Sequence, residues 1–87
     1  MDKKPLTLLL VEDDIDVAAS IGDYFEAFGF LIDFAYSYQQ ALHRVRHSYF
    51  DLLILDVNLP DKDGFSLCQE LKIIMGVPQP VLFLTAR

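Results

Sequence analysis

Apolar residues along the chain fall into two kinds of pattern. Short continuous runs come first: Leu6 to Val11 (LTLLLV), Phe30 to Ala35, Leu52 to Asp56 and Val81 to Thr85 (VLFLT). LTLLLV shows no strict alternation, which suits a strand buried on both faces, as in a parallel sheet. Between the runs, apolar residues recur at helical spacing. Val17, Ile21, Phe25 and Phe28, with Tyr24 adjoining, predict a helix from about Ile15 to Phe28. Asp13 or Asp14 is placed to cap its start, and Gly29 to end it. Ser37 with Gln40 has the spacing of a capping box, and Ala41, Leu42 and Val45 mark a second helix that ends near His47. Leu59 to Gly64 is a loop punctuated by Pro60 and Gly64. Leu67, Leu71 and Ile74 mark a third helix, with Asp63 as its cap and Gly76-Val77-Pro78 as its break.

The resulting order is βαβαβαβ. Strands alternating with helices imply parallel pairing through right-handed crossovers, hence a doubly wound α/β sheet with helices on both faces. Such sheets place their chemistry at the carboxyl ends of the strands. Here strand one delivers Glu12 and Asp13, strand three delivers Asp56, and strand four delivers Thr85 and Ala86. Crowded carboxylates either rise in pKa or share a cation, and oxygen ligands of this kind suit magnesium. A helix-loop-helix calcium site fits poorly, because Pro60 and Asp61 fall where that loop needs an oxygen ligand and a Gly. A hydroxyl beside a metal-bound carboxylate is an arrangement that handles phosphate: the hydroxyl holds a phosphoryl oxygen and the carboxylate attacks phosphorus in line.

Composition narrows the field. Eighty-seven residues, 53% of them apolar, suit one small globular domain. Net charge is -6 and no Lys or Arg cluster is present, so direct nucleic-acid binding is not expected. No apolar run approaches the ~18 residues of a membrane span, and the start is too short for a secretory signal. The single cysteine, Cys68, rules out an internal disulfide and fits a cytoplasmic setting.

Three segments together resemble the receiver domain of bacterial two-component response regulators: LLLVEDD near the start, LDVNLPDKDG in the middle and LTAR at the end. The spacing agrees too, with Pro and Gly four and eight residues beyond Asp56. The resemblance covers nearly the whole chain, so residues 1–87 are expected to be the β1 to β4 part of one receiver domain. It implies a flavodoxin-like (CheY-like) three-layer α/β/α fold of strand order 2-1-3-4. It also implies Mg2+-dependent phosphorylation by a sensor histidine kinase, in a phosphoacceptor that is not a stand-alone enzyme. On that pattern Asp56 is the phosphoacceptor. Asp13 binds Mg2+ directly, Glu12 through water, and Asn58 through its backbone carbonyl. Thr85 binds and reports the phosphoryl group, Ala86 keeps the site open, and Pro60 and Gly64 shape the loop.

Receivers in this family usually carry a fifth strand ending in a Lys, followed by further helix and often an effector domain. This sequence stops two residues after strand four. The expectation is therefore a truncated receiver with slow or weak phosphorylation, since a charge-assisted contact is lost. The edge of VLFLT is expected to pair with a second copy or exchange segments. The rival is a non-phosphorylated, dimerising remnant that acts as an interaction module. A haloacid-dehalogenase-like phosphatase is excluded, because Asn58 stands where that family needs a second Asp. Plainer roles fall to Asp14 and Asp16 (helix start), Asp61 and Asp63 (loop and cap), Cys68 (packing), His43 and His47 (exposed helix face), and Phe25, Phe28 and Phe30 (core).

Overall fold

The computed structural model describes residues 4–84. Thr7–Val11 forms strand β1, in which Leu8, Leu9, Leu10 and Val11 are fully buried. Burial of consecutive residues requires cover on both sides, since neighbouring side chains in a strand point to opposite faces. That cover comes from helices α1 (Ile15–Glu26), α2 (Tyr38–His47) and α3 (Gly64–Gln69), which alternate with strands β2 (Leu31–Ala35), β3 (Leu52–Asp56) and β4 (Val81–Leu84). The strands form one parallel sheet of order β2-β1-β3-β4. This is the fold class and strand order expected from the sequence.

Alternate residues of β1 and β3 serve different cores. Leu9, Val11, Leu53 and Leu55 pack with Tyr38, Ala41 and Leu42 of α2, Leu67 of α3 and Leu71. Leu8, Leu10 and Ile54 pack on the other side with Ala18 of α1, supported by half-buried Ile21, Phe25, Phe30 and Phe34. The molecule is thus three layers, α/β/α.

Local signals account for the element ends. Asp14 caps α1, accepting from the backbone N–H groups of Asp16 and Val17 at 3.0 and 3.1 Å. Ser37 accepts from Gln40 N–H at 3.2 Å to cap α2, while the Gln40 side chain accepts from Tyr36 N–H at 2.8 Å. Asp63 caps α3 through Ser66 N–H at 2.7 Å. After Gln69 the helix widens into a π-helical turn, Glu70–Ile74, closed by the Met75 N–H donating to the Glu70 carbonyl at 3.1 Å.

One expectation needs correction. Phe28 is not core: it is 68% exposed. The helix stops at Glu26, and Gly29 with φ +94° turns the chain toward β2, so the apolar stripe runs on past the last helical turn. Val17 is also exposed, and the fully covered positions of α1 are the small Ala18 and Gly22.

Candidate functional site

The register of β1 against β3 pairs Val11 with Leu55, so the next residues, Glu12 and Asp56, emerge side by side at the carboxyl end of the sheet. Both are nearly buried, at 7% and 8% exposure, whereas Asp13 is exposed. One carboxylate oxygen from each of Glu12, Asp13 and Asp56 lies within 4.8 Å of the others. The ion pair found among the described residues, Arg44 with Asp33 at 3.5 Å, involves none of the three. The apolar strands deliver the charge to a rim, where it is crowded and carries no basic partner among the described residues.

Crowding shows in Glu12. Burial pushes its carboxyl up to about 7, reinforced by the charge of Asp56 and opposed by the bond from the Asp14 backbone. That bond runs from Asp14 N–H to Glu12 Oε2 at 3.0 Å. Asp56 Oδ1 accepts the backbone N–H of Asn58 at 3.1 Å, which fixes the carboxylate relative to the loop that follows.

The loop itself folds back on the strand end. Gly64 N–H donates to the Val57 carbonyl at 3.0 Å, and Asn58 bridges to Asp63. A Cβ on residue 64 would lie 2.1 Å from the Asp56 carbonyl oxygen and 3.0 Å from Val57 Cα, so only glycine permits this approach. Pro60 sits exposed in the same loop. Asp61 does more than a loop residue does: it accepts from the N–H groups of Tyr38 and Gln39 on α2, at 2.8 and 3.2 Å. Thr85 and Ala86 lie outside the described residues. Exposed His43 and His47 face one another on α2, with ring centres 4.3 Å apart and planes tilted by 35°, and the cluster of metal-ligating side chains found among the described residues does not include them.

Chemically, the donor set suits a hard cation. Opposite oxygens around an octahedral ion with bonds of 2.0–2.1 Å lie about 4.2 Å apart, and adjacent ones about 3 Å. Three carboxylate oxygens within 4.8 Å match that size, and their anionic, all-oxygen character matches the ion type.

A family model described as the response regulator receiver domain matches residues 8–87. The chain belongs to that family. It is a receiver domain of two-component signal transduction, with the CheY-like order of strands. The receiver is 33% identical over 82 residues to the transcriptional regulatory protein CiaR of Streptococcus pneumoniae, covering 94% of this chain and 36% of that one. It is 38% identical over 81 residues to the transcriptional regulatory protein CreB of Escherichia coli, covering 93% of this chain and 35% of that one. The receiver therefore spans about a third of the length of these curated relatives. Among solved structures, the response regulator protein TrrA of Thermotoga maritima, in complex with Mg(2+)-BeF, superposes with a TM-score of 0.88 at 24% identity. That match covers 94% of this chain and 70% of that chain and speaks to the fold. Among the described residues, no helix of the receiver is long and apolar enough to cross a membrane.

Proposed function

We propose that Asp56 is the phosphoacceptor of this receiver and that the reaction depends on Mg2+. The observation that carries this reading is the near-buried Asp56 carboxylate, held at the end of β3 within 4.8 Å of the oxygens of Glu12 and Asp13. Asp13 and Asp56 would hold the ion directly, Glu12 through water and Asn58 through its carbonyl. When bound, the ion neutralises phosphoryl oxygens as charge builds on them. The residues do the rest. An Asp56 oxygen attacks the phosphorus of a phosphohistidine on a sensor histidine kinase. The P–N bond breaks, and the imidazole leaves with the electron pair and takes up a proton. The Asn58 N–H bond to Asp56 Oδ1 holds the nucleophile in place. On the family pattern, Thr85 holds a phosphoryl oxygen and the small Ala86 leaves room for it. Pro60 and Gly64 keep the loop close to Asp56.

The receiver in this reading is a phosphoacceptor that promotes its own phosphorylation, in the cytoplasm where the kinase's catalytic part resides, and it acts through an effector rather than on nucleic acid. Self-association is read from β4, whose outer edge pairs with no strand among the described residues and whose Leu82 and Phe83 are exposed.

The test is incubation of the chain with Mg2+ and a small phosphoryl donor, followed by intact-mass measurement. Slow or partial addition of one phosphoryl group is expected, with none in Asp56→Asn and none after chelation. Labelling that persists in Asp56→Asn overturns the assignment. A dimerising module without phosphoryl chemistry would show no response to Mg2+ with beryllofluoride.

A further inference from the structure

The loop after Asp56 is fastened at a second point, on helix α2. The first turn of any helix leaves backbone N–H groups without partners. In α2, Ser37 takes that of Gln40, and Asp61 takes those of Tyr38 and Gln39, across more than twenty residues of chain. Burial alone would raise the Asp61 carboxyl, but these N–H bonds outweigh it and hold the group below its ordinary value. The neighbouring residue strengthens the clasp: the Lys62 ammonium sits 5.0 Å over the ring of Tyr38. Tyr38 is buried, and its hydroxyl donates to the Glu70 carboxylate on the π-helical turn. Burial and then that bond push the Tyr38 hydroxyl up to about 12, so it remains a donor at any working pH. The segment from Asn58 to Gly64 is thus pinned at its start to Asp56, at its end to Val57, and in its middle to α2.

We propose that Asp61 is a positioning residue for the cation site. By capping α2 beside Ser37 it fixes the middle of the loop, and so the placement of the Asn58 backbone against the Glu12–Asp13–Asp56 carboxylates. Coupling of this kind is reciprocal: what the clasp does for the ion, the ion does for the clasp. The inference rests on the Mg2+ reading above.

Calorimetric titration of the chain with Mg2+ tests it, alongside Asp61→Ala and Asp61→Asn, each checked for folding by circular dichroism. Loss of a group that orients a ligand weakens a metal site by about tenfold or more, and that is the change expected for Asp61→Ala. Asn keeps an acceptor oxygen that caps helices well but has no charge. Asp61→Asn is therefore expected to recover at least about half of the loss on a logarithmic scale. Equal weakening in both variants means that a capping oxygen at this position does not place the site, and overturns the proposal. So does an Asp61→Ala affinity equal to that of the unaltered chain. Amide exchange on the unaltered chain supplies a readout that needs no variant: Mg2+ is expected to slow exchange at Tyr38 and Gln39 at least about threefold. Unchanged exchange at those amides despite Mg2+ binding overturns the proposal alone, whereas absence of any Mg2+ binding overturns the Mg2+ reading with it.

Discussion

The two faces of the sheet are covered by different means. On one, α2, α3 and the π-helical turn together cover the sheet, and Leu9, Val11, Leu53, Leu55, Leu67 and Leu71 lose essentially all contact with solvent. On the other, α1 is the one helix among the described residues that lies across β1 and β2, with Ala18 and Gly22 beneath it. A helix is about 10 Å wide and four strands span about 14 Å between their outer axes, so one helix cannot close that face. Aromatic rings border the helix on this face. Phe25 and Phe30 meet edge to face at 5.7 Å, and Phe34 stacks on Tyr36 at 6.2 Å, all of them half-buried. The face with two helices is packed by shape, and small changes there are felt. The face with one helix is padded beside α1 with half-buried rings.

The largest effect should separate the faces directly. Leu71→Ala removes a fully buried side chain and is expected to cost about 3 to 5 kcal/mol in urea denaturation, against about 1 to 2 kcal/mol for half-buried Phe25→Ala on α1. Equal losses would erase the distinction. Two glycines give the next test. At Gly64 a new Cβ meets the backbone of Asp56 at 2.1 Å, and Gly64→Ala should cost about 3 kcal/mol with loss of the Mg2+ response. At Gly22 the obstacle is the tip of the Phe34 ring at 2.7 Å, a side chain on the padded face. There the ring can yield, and Ala gains up to about 1 kcal/mol of helix propensity, so Gly22→Ala should stay within about 1 kcal/mol of the unaltered chain.

The smallest effect belongs to the rim between the faces. The carboxyl of Glu12 is raised in the folded chain from 4.5 to about 7, so folding disfavours its charged form. In the absence of metal its contribution to stability is present below about pH 4.5 and is lost as pH rises through about 7. Thermal melts in chelator at pH 5.5 and pH 8 should show that loss. Glu12→Gln should flatten it, and neither Phe25→Ala nor Gly22→Ala should alter it.

Much of this was legible in the residues. The apolar runs predict strands because a parallel sheet demands cover on both sides, and Asp14, Ser37 and Asp63 stand where helices need caps. Glu12, Asp13 and Asp56 could be gathered from strand ends alone, since parallel strands bring their carboxyl ends to one edge. What sequence pattern missed has a common cause. The exposure of Phe28 depends on where the covering layer stops, and periodicity carries no such information. The role of Asp61 spans more than twenty residues, beyond the reach of local cap signals. The π-helical turn at Glu70–Ile74 leaves the spacing of Leu67 and Leu71 unchanged and so leaves no trace in it.

The position of β1 has a consequence for how the chain comes to be folded. It is first in sequence yet sits inside the sheet, with Thr7 against Leu31 on one side and Leu8 against Leu52 on the other. At roughly 5 to 20 residues per second of synthesis, β3 follows β1 from the ribosome by roughly 2 to 9 seconds. During that interval one side of this apolar strand, buried from Leu8 to Val11, has no neighbour to bond. The β1-α1-β2 unit is then the natural first stage, and closure on β3 a later, non-local one that slows the whole process.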